Sequence, residues 1–218
     1  MIDSMEKING GNLGKRDFLF ALFVASMVIV NTLGSKITTI FGVRVSVGIF
    51  LVPILFLITD IIGEVFGEKE AQHFVNMSTI MLLFMFVLSF LFIRLEPNEN
   101  WGLQSEYELI FGSSMRMTAA SIISFITSQK LDVFLFGAWK KITHGKHLWI
   151  RNNFSTIISQ FIDTTIFDFI AFYHLTEKYT VSFVFSLIIP YWLFKVVFAL
   201  LDTPFCYLGV KWMKKTGL

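Results

Sequence analysis

A single cysteine, Cys206, stands in the 218 residues. That excludes an intramolecular disulfide and a cysteine-built metal cluster. Histidine is scarce too, with four in all. His144 and His147 share a helical spacing but have no further ligand nearby, so no metal site is expected. The sequence has no HExxH, Walker A, GxSxG or GxGxxG pattern, and no Gly-x-Gly-Asp of intramembrane aspartyl proteases. Nothing sets a nucleophile beside a base, so neither an enzyme nor a cofactor is expected. Only 16% of the residues are charged, and no Ser/Gly/Pro-rich stretch divides the chain. A soluble second domain is therefore not expected. Residues 1–16 balance Lys7, Lys15 and Arg16 against Asp3 and Glu6, and no A-x-A site follows the first apolar run. A cleaved signal peptide is thus not expected.

What remains is apolar. Hydrophobic residues reach 55%, 26 of them phenylalanine, and the mean hydropathy is +0.68. A water-soluble fold of this length could not bury that much apolar surface, so the class is a polytopic membrane protein. Six apolar runs span Phe18–Leu33, Val45–Ile62, Met77–Ile93, Met117–Trp139, Phe154–Tyr173 and Phe183–Val210. They predict an all-α fold of six transmembrane helices, with residues 1–17 as a cytoplasmic segment, 18–210 as one membrane domain and 211–218 as a basic tail. Pro190 and Pro204 predict a kinked or broken last helix. With the N-terminus inside, eleven Lys and Arg fall on the cytoplasmic side and five on the other, so both termini are expected to be cytoplasmic. The Leu95–Phe111 loop opposite is acidic. The basic 140–151 loop follows from the same rule and does not predict a nucleic-acid partner.

The polar groups inside the spans carry the functional reading. NFSTIISQFIDTTIFDFIAF (153–172) is long enough to cross a bilayer, yet it holds Gln160, Asp163 and Asp168 among Ser155, Thr156, Ser159, Thr164 and Thr165. A carboxylate at that depth is costly unless it faces protein, water or a ligand. Gln160 and Asp163 share a helix face, whereas Asp168 points elsewhere. Gln129 and Asp132 in the fourth span repeat this spacing, and the shared Ser-Gln-x-x-Asp suggests an internal repeat around a small polar chamber. Asp60 and Glu64, four apart at the end of the second span, stack on one face. They are either ligand groups or interfacial carboxylates. Lys195 and Asp202 lie nearly on one face of the sixth span and suit mutual neutralisation or pairing with another helix. Lys130 is the candidate for neutralising a buried carboxylate. Asn31 suits a helix–helix hydrogen bond or a pocket wall, and spacing does not choose between them.

Three segments together resemble one family: TDIIGEVFGEKEA (59–71), SQKLDVFLF (128–136) after Ala120-Ser121, and LWIRNNFSTIISQFIDTTIFDFIAF (148–172). Tyr191, Lys195 and Thr203-Pro204 add to the likeness, which covers residues 18–208. They are similar to the queuosine precursor transporters, once grouped as a vitamin uptake family. The resemblance implies a bacterial inner-membrane importer of 7-cyano- or 7-aminomethyl-7-deazaguanine, or of queuine, feeding tRNA wobble-base modification. The positions matching the family's polar pattern are Asn31, Asp60, Glu64, Gln129, Asp132, Arg151, Asn152, Ser155, Thr156, Gln160, Asp163 and Lys195. Lys130 and Asp168 have no clear place in it. A guanine-like edge offers two parallel N–H donors to a carboxylate and acceptors to an amide, so a Gln/Asp chamber suits such a base. Lys130, Arg151 and Lys195 are expected to balance charge or couple transport. The expected partners are the base and the lipid bilayer, with homodimerisation left open. The alternative is a membrane binding subunit energised by a partner complex, which could dock on the small-xxx-small face of Ala21 and Ala25.

Overall fold

The computed structural model describes residues 2–143, 148–201 and 203–215, with side chains at 14–128, 130–131, 134–135, 137–139, 141–143, 154–155, 157–198, 201 and 204–215. Helix α1 spans Ile2–Leu33 and turns apolar from Phe18 onward. A β-hairpin follows, β1 Ile37–Ile40 against β2 Val43–Ser46, antiparallel, with Ile37 opposite Ser46 and Ile40 opposite Val43. Its two-residue turn, Phe41-Gly42, has positive φ at both positions (49° and 82°), as the type I′ turn that suits strand twist requires. Ser46 then caps a short 3₁₀ turn, Val47–Phe50, by accepting from the Gly48 amide, and its hydroxyl donates to Gly34 O at 2.6 Å.

The remaining elements are α2 Val52–Phe66, α3 Glu68–Ile93, α4 Gln104–Ile142, α5 Leu148–Phe172, α6 Val181–Leu201 and α7 Thr203–Lys214. Pro53 occupies the first turn of α2, where its missing N–H has no helical partner to lose. Gly67, at φ 94°, turns the chain between α2 and α3. Among the described residues, five helical segments are long and apolar enough to cross a membrane: Gly14–Leu33, Val47–Phe66, Glu68–Ile93, Gln104–Ser128 and Val181–Phe198. The chain is thus a mainly helical, multi-pass membrane protein. Phe18, Phe84, Leu91, Phe134 and Val197, spread over four of its helices, are exposed. In a membrane protein lipid covers such residues.

Several expected boundaries shift. Val45–Phe50 belongs to the hairpin and the 3₁₀ turn, so the second helix starts later than the apolar run suggests. ITTI and the alternating VRVS on either side of Phe-Gly form a local hairpin beside the helices. Helix α3 extends back to Glu68, and α4 extends back to Gln104. The acidic loop therefore shrinks to about 94–103, because Glu106 and Glu108 are compatible with the first turns of a helix. Pro190 stays inside α6 (Val181–Leu201), and Pro204 stands in the first turn of α7 (Thr203–Lys214).

One end of the bundle gathers the beginning of α1, the α2–α3 junction and α7. There, Lys15 Nζ donates to Trp212 O at 2.8 Å, and Arg16 Nε donates to Glu70 at 2.7 Å. A core of Leu19, Phe23, Ile58, Ile61, Ile62, Phe74 and Met213 lies beneath them. The hairpin marks the opposite end, sealed by Val45, Ile49, Val52 and Tyr191. Next to it, Met117, Ala120, Ala171, Phe172, Val184, Leu187 and Ile188 join α4, α5 and α6.

Candidate functional site

A cavity of about 1660 Å³ runs between the helices, with wall residues from α1 through α7. It exceeds the roughly 300–1,000 Å³ of ordinary small-molecule pockets and can hold a flat base together with water. Glu64, Glu68, Gln72, Lys211, Lys214 and Lys215 line it at the end that carries α7. At the hairpin end it stops at Val52 and the buried Tyr191.

The polar heart of the cavity lies where α4, α5 and α6 meet. Lys195 Nζ of α6 donates to Asp163 Oδ2 of α5 at 2.8 Å. Ser128 of α4 donates to Asp163 Oδ1 at 3.3 Å. Asp163 and Lys195 are 18% and 12% exposed, so the pair is largely withdrawn from solvent without being sealed off. One helical turn away, Gln160 lines the same cavity, and its side-chain amide makes no hydrogen bond to a described residue. It therefore has donors and an acceptor to offer. Phe56, Phe125 and Phe167 supply aromatic surface to the wall. Asp60 and Glu64 of α2 line it nearer the mouth, and both are exposed.

Helices α4 and α5 are antiparallel, as their contacts from Trp139 with Phe154 to Arg116 with Ile170 O and Tyr173 O require. In such a pair, four residues forward on one helix match four residues back on the other. The Ser128–Asp163 contact thus sets backbone position 132 level with Ser159. The two Ser-Gln-x-x-Asp backbone segments therefore lie level and run in opposite directions, the relation of a local twofold axis.

Of the residues singled out by sequence, Asp60, Glu64, Gln160, Asp163 and Lys195 line one cavity. Asn31 does not. It is buried in α1, donates to Met27 O at 2.8 Å and accepts from Ser121 Oγ at 2.6 Å, so it ties α1 to α4 behind the wall. Ser155 is buried away from the lining. Lys130 is exposed on α4, and the cation that meets Asp163 is Lys195. The side chains of Gln129, Asp132, Arg151, Asn152 and Thr156, and residue Asp202, lie outside the described residues, as do His144 and His147. Sequence reading passed over Ser121 and Ser124, which line the cavity with Ser128. Their signal was present: Ser114, Thr118, Ser121, Ser124 and Ser128 recur at spacings of three and four, which is one helix face. Asp168 sits behind the lining, fully buried.

Residues 46–209 match the family model described as "Putative vitamin uptake transporter". The chain is 31% identical over 195 residues to the "Probable queuosine precursor transporter" of Bacillus subtilis, covering 88% of this chain and 81% of that one. It is 26% identical over 163 residues to the "Queuosine precursor transporter" of Escherichia coli, covering 74% and 71%. No solved structure matches. Three sequence motifs, a multi-pass helical fold and these relatives lead to one conclusion: the chain belongs to the queuosine precursor transporter family.

Proposed function

We propose that the protein imports 7-deazaguanine bases, 7-cyano- or 7-aminomethyl-7-deazaguanine, across the bacterial inner membrane for tRNA modification, and performs no chemistry on them. The observation that carries this reading is the Lys195–Asp163–Ser128 cluster beside the Gln160 amide on the wall of a large cavity. The donor edge of the base replaces Lys195 and Ser128 on the Asp163 carboxylate, exchanging charge-assisted bonds for others of the same kind. Gln160 donates its amide to the acceptor edge. Phe125 and Phe167 cover the flat face, a contact of about 1–3 kcal/mol per base. In this reading Asp132 and Gln129 form the matching half of the chamber across the local twofold axis, and α5 is the sixth span, its polar face turned inward. Residues 1–17 and 211–218 flank the membrane domain. Both termini are cytoplasmic, so the cavity mouth near Lys211 and Lys214 faces the cell interior, with Arg151 on the same side.

The test is uptake of labelled 7-cyano-7-deazaguanine in cells that cannot make it, with the imported base recovered and identified. Expression of this chain should confer uptake of the unchanged base, and Asp163→Asn should abolish it. Wild-type uptake by Asp163→Asn would remove the residue from the site. Uptake that needs a second complex, and fails with the purified protein in liposomes, would favour an energised binding subunit instead.

A further inference from the structure

Asp168 is fully buried on α5, and among the described residues neither of its carboxylate oxygens has a hydrogen-bond partner. It stands five residues beyond Asp163, about 7 Å further along the helix toward the hairpin end. An ionised carboxylate in that position would be among the least favourable groups in the fold. The elements packed against α5 are α4 and α6. From α6, Lys195 and the buried Tyr191 lie within electrostatic reach of Asp168, and from its own helix so does Asp163. From α4, Arg116 is turned to the carbonyl oxygens of Ile170 and Tyr173, and Lys130 is exposed. Lys195 is already engaged at 2.8 Å with Asp163, and those two charges cancel. The third group is left over. It makes the buried cluster anionic unless it carries a proton. Toward the hairpin, the Tyr191 hydroxyl approaches Ser46.

We propose that Asp168 is the proton site of the transport cycle, so that one proton enters with each uncharged base. The carboxylate takes the proton from water on the hairpin side, past Tyr191 and Ser46, and crosses as the neutral acid. It releases the proton to the cavity water at the opposite end. Only the O–H bond forms and breaks. Asp163, Lys195 and Gln160 hold the base, while Asp168 sets the charge of the cluster that must change its access. This inference rests on the transport reading of the cavity.

The experiment uses the full chain in phosphatidylethanolamine–phosphatidylglycerol liposomes with a pH-sensitive dye inside and the membrane potential clamped by potassium and valinomycin. The probe is labelled 7-cyano-7-deazaguanine. With an acidic exterior, the wild-type protein should concentrate the base, and the lumen should acidify by one proton per base. Asp168→Asn keeps the shape of the neutral acid. It should still exchange labelled for unlabelled base without a pH gradient, yet bring inside and outside only to equal concentrations and leave the lumen pH unchanged. Wild-type accumulation without acidification, or gradient-driven accumulation by Asp168→Asn, overturns the inference while leaving transport standing. If Asp168→Asn does not fold, the wild-type proton-to-base ratio decides alone. Wild-type liposomes that do not even exchange the base overturn the transport reading and this inference with it.

Discussion

Lys195 on α6 and Asp163 on α5 meet at 2.8 Å on the wall of the cavity, and Ser128 on α4 completes the contact from a third helix. One carboxylate thereby joins three elements that are far apart in sequence. Removing either charge of a withdrawn pair strands the other. Asp163→Asn and Lys195→Met should each lower stability in detergent by about 3 kcal/mol, read as a fall in melting temperature. The double variant should recover most of that loss, and uptake should remain absent. Restored uptake in the double variant would make the pair structural only.

Gln160 supplies an amide that no described residue engages. A lost hydrogen bond of about 1 kcal/mol corresponds to roughly fivefold in affinity. Gln160→Ala should therefore raise the Kd for the base severalfold, measured by calorimetry on the purified protein, with the melting temperature unchanged. An unchanged Kd would remove the amide from the binding site.

Asn31 holds α1 to α4 through Ser121. Asn31→Ala should cost about 1 kcal/mol, consistent with interhelical hydrogen bonds in membranes, and leave the Kd for the base unaltered. Ser121→Ala should give a similar loss, and the two should not add. Independent, additive losses in a double-mutant cycle would refute the coupling.

A Cβ on Gly209 of α7 would run into the side chain of Ile61 on α2. Gly209→Leu should overpack this contact and destabilise by about 1–3 kcal/mol. Ile61→Ala in the same chain should return part of that stability, as a thermal melt can show. A melt unaffected by Gly209→Leu would mean that α7 does not rest on α2.

Legibility followed the range of the interaction. Gln160 and Asp163 could be placed on one face, and Asp168 off it, because helical spacing is local and backbone geometry enforces it. The partner of Asp163 was not readable. Lys130 and Lys195 stand almost equally far from it in sequence, and only the packing of α5 on α6 brings Lys195 to the carboxylate. Asn31 presented two roles of equal merit, and the fold chose the helix–helix bond because Ser121 stands opposite. The hairpin was hidden by its own apolarity: VRVSVGIF resembles the start of a span, and the I′ turn uses the unusual pair Phe41-Gly42 where Asn-Gly is the common signal. The start of α4 was misjudged for the reverse reason. Glu106, Glu108 and Arg116 look like loop residues to a hydropathy reading, although they stand on a continuous helix.

Lys15 reaches the backbone of Trp212 and Lys215, while Lys211, Lys214 and Lys215 edge the opening of the cavity. A reporter or affinity tag attached close behind Lys215 would therefore lie beside that opening. It would also load the contact between α1 and α7. Fusions for assay should carry such additions on a long spacer, and a tagged protein that fails to transport should be cleaved before the failure is assigned to any residue of the site.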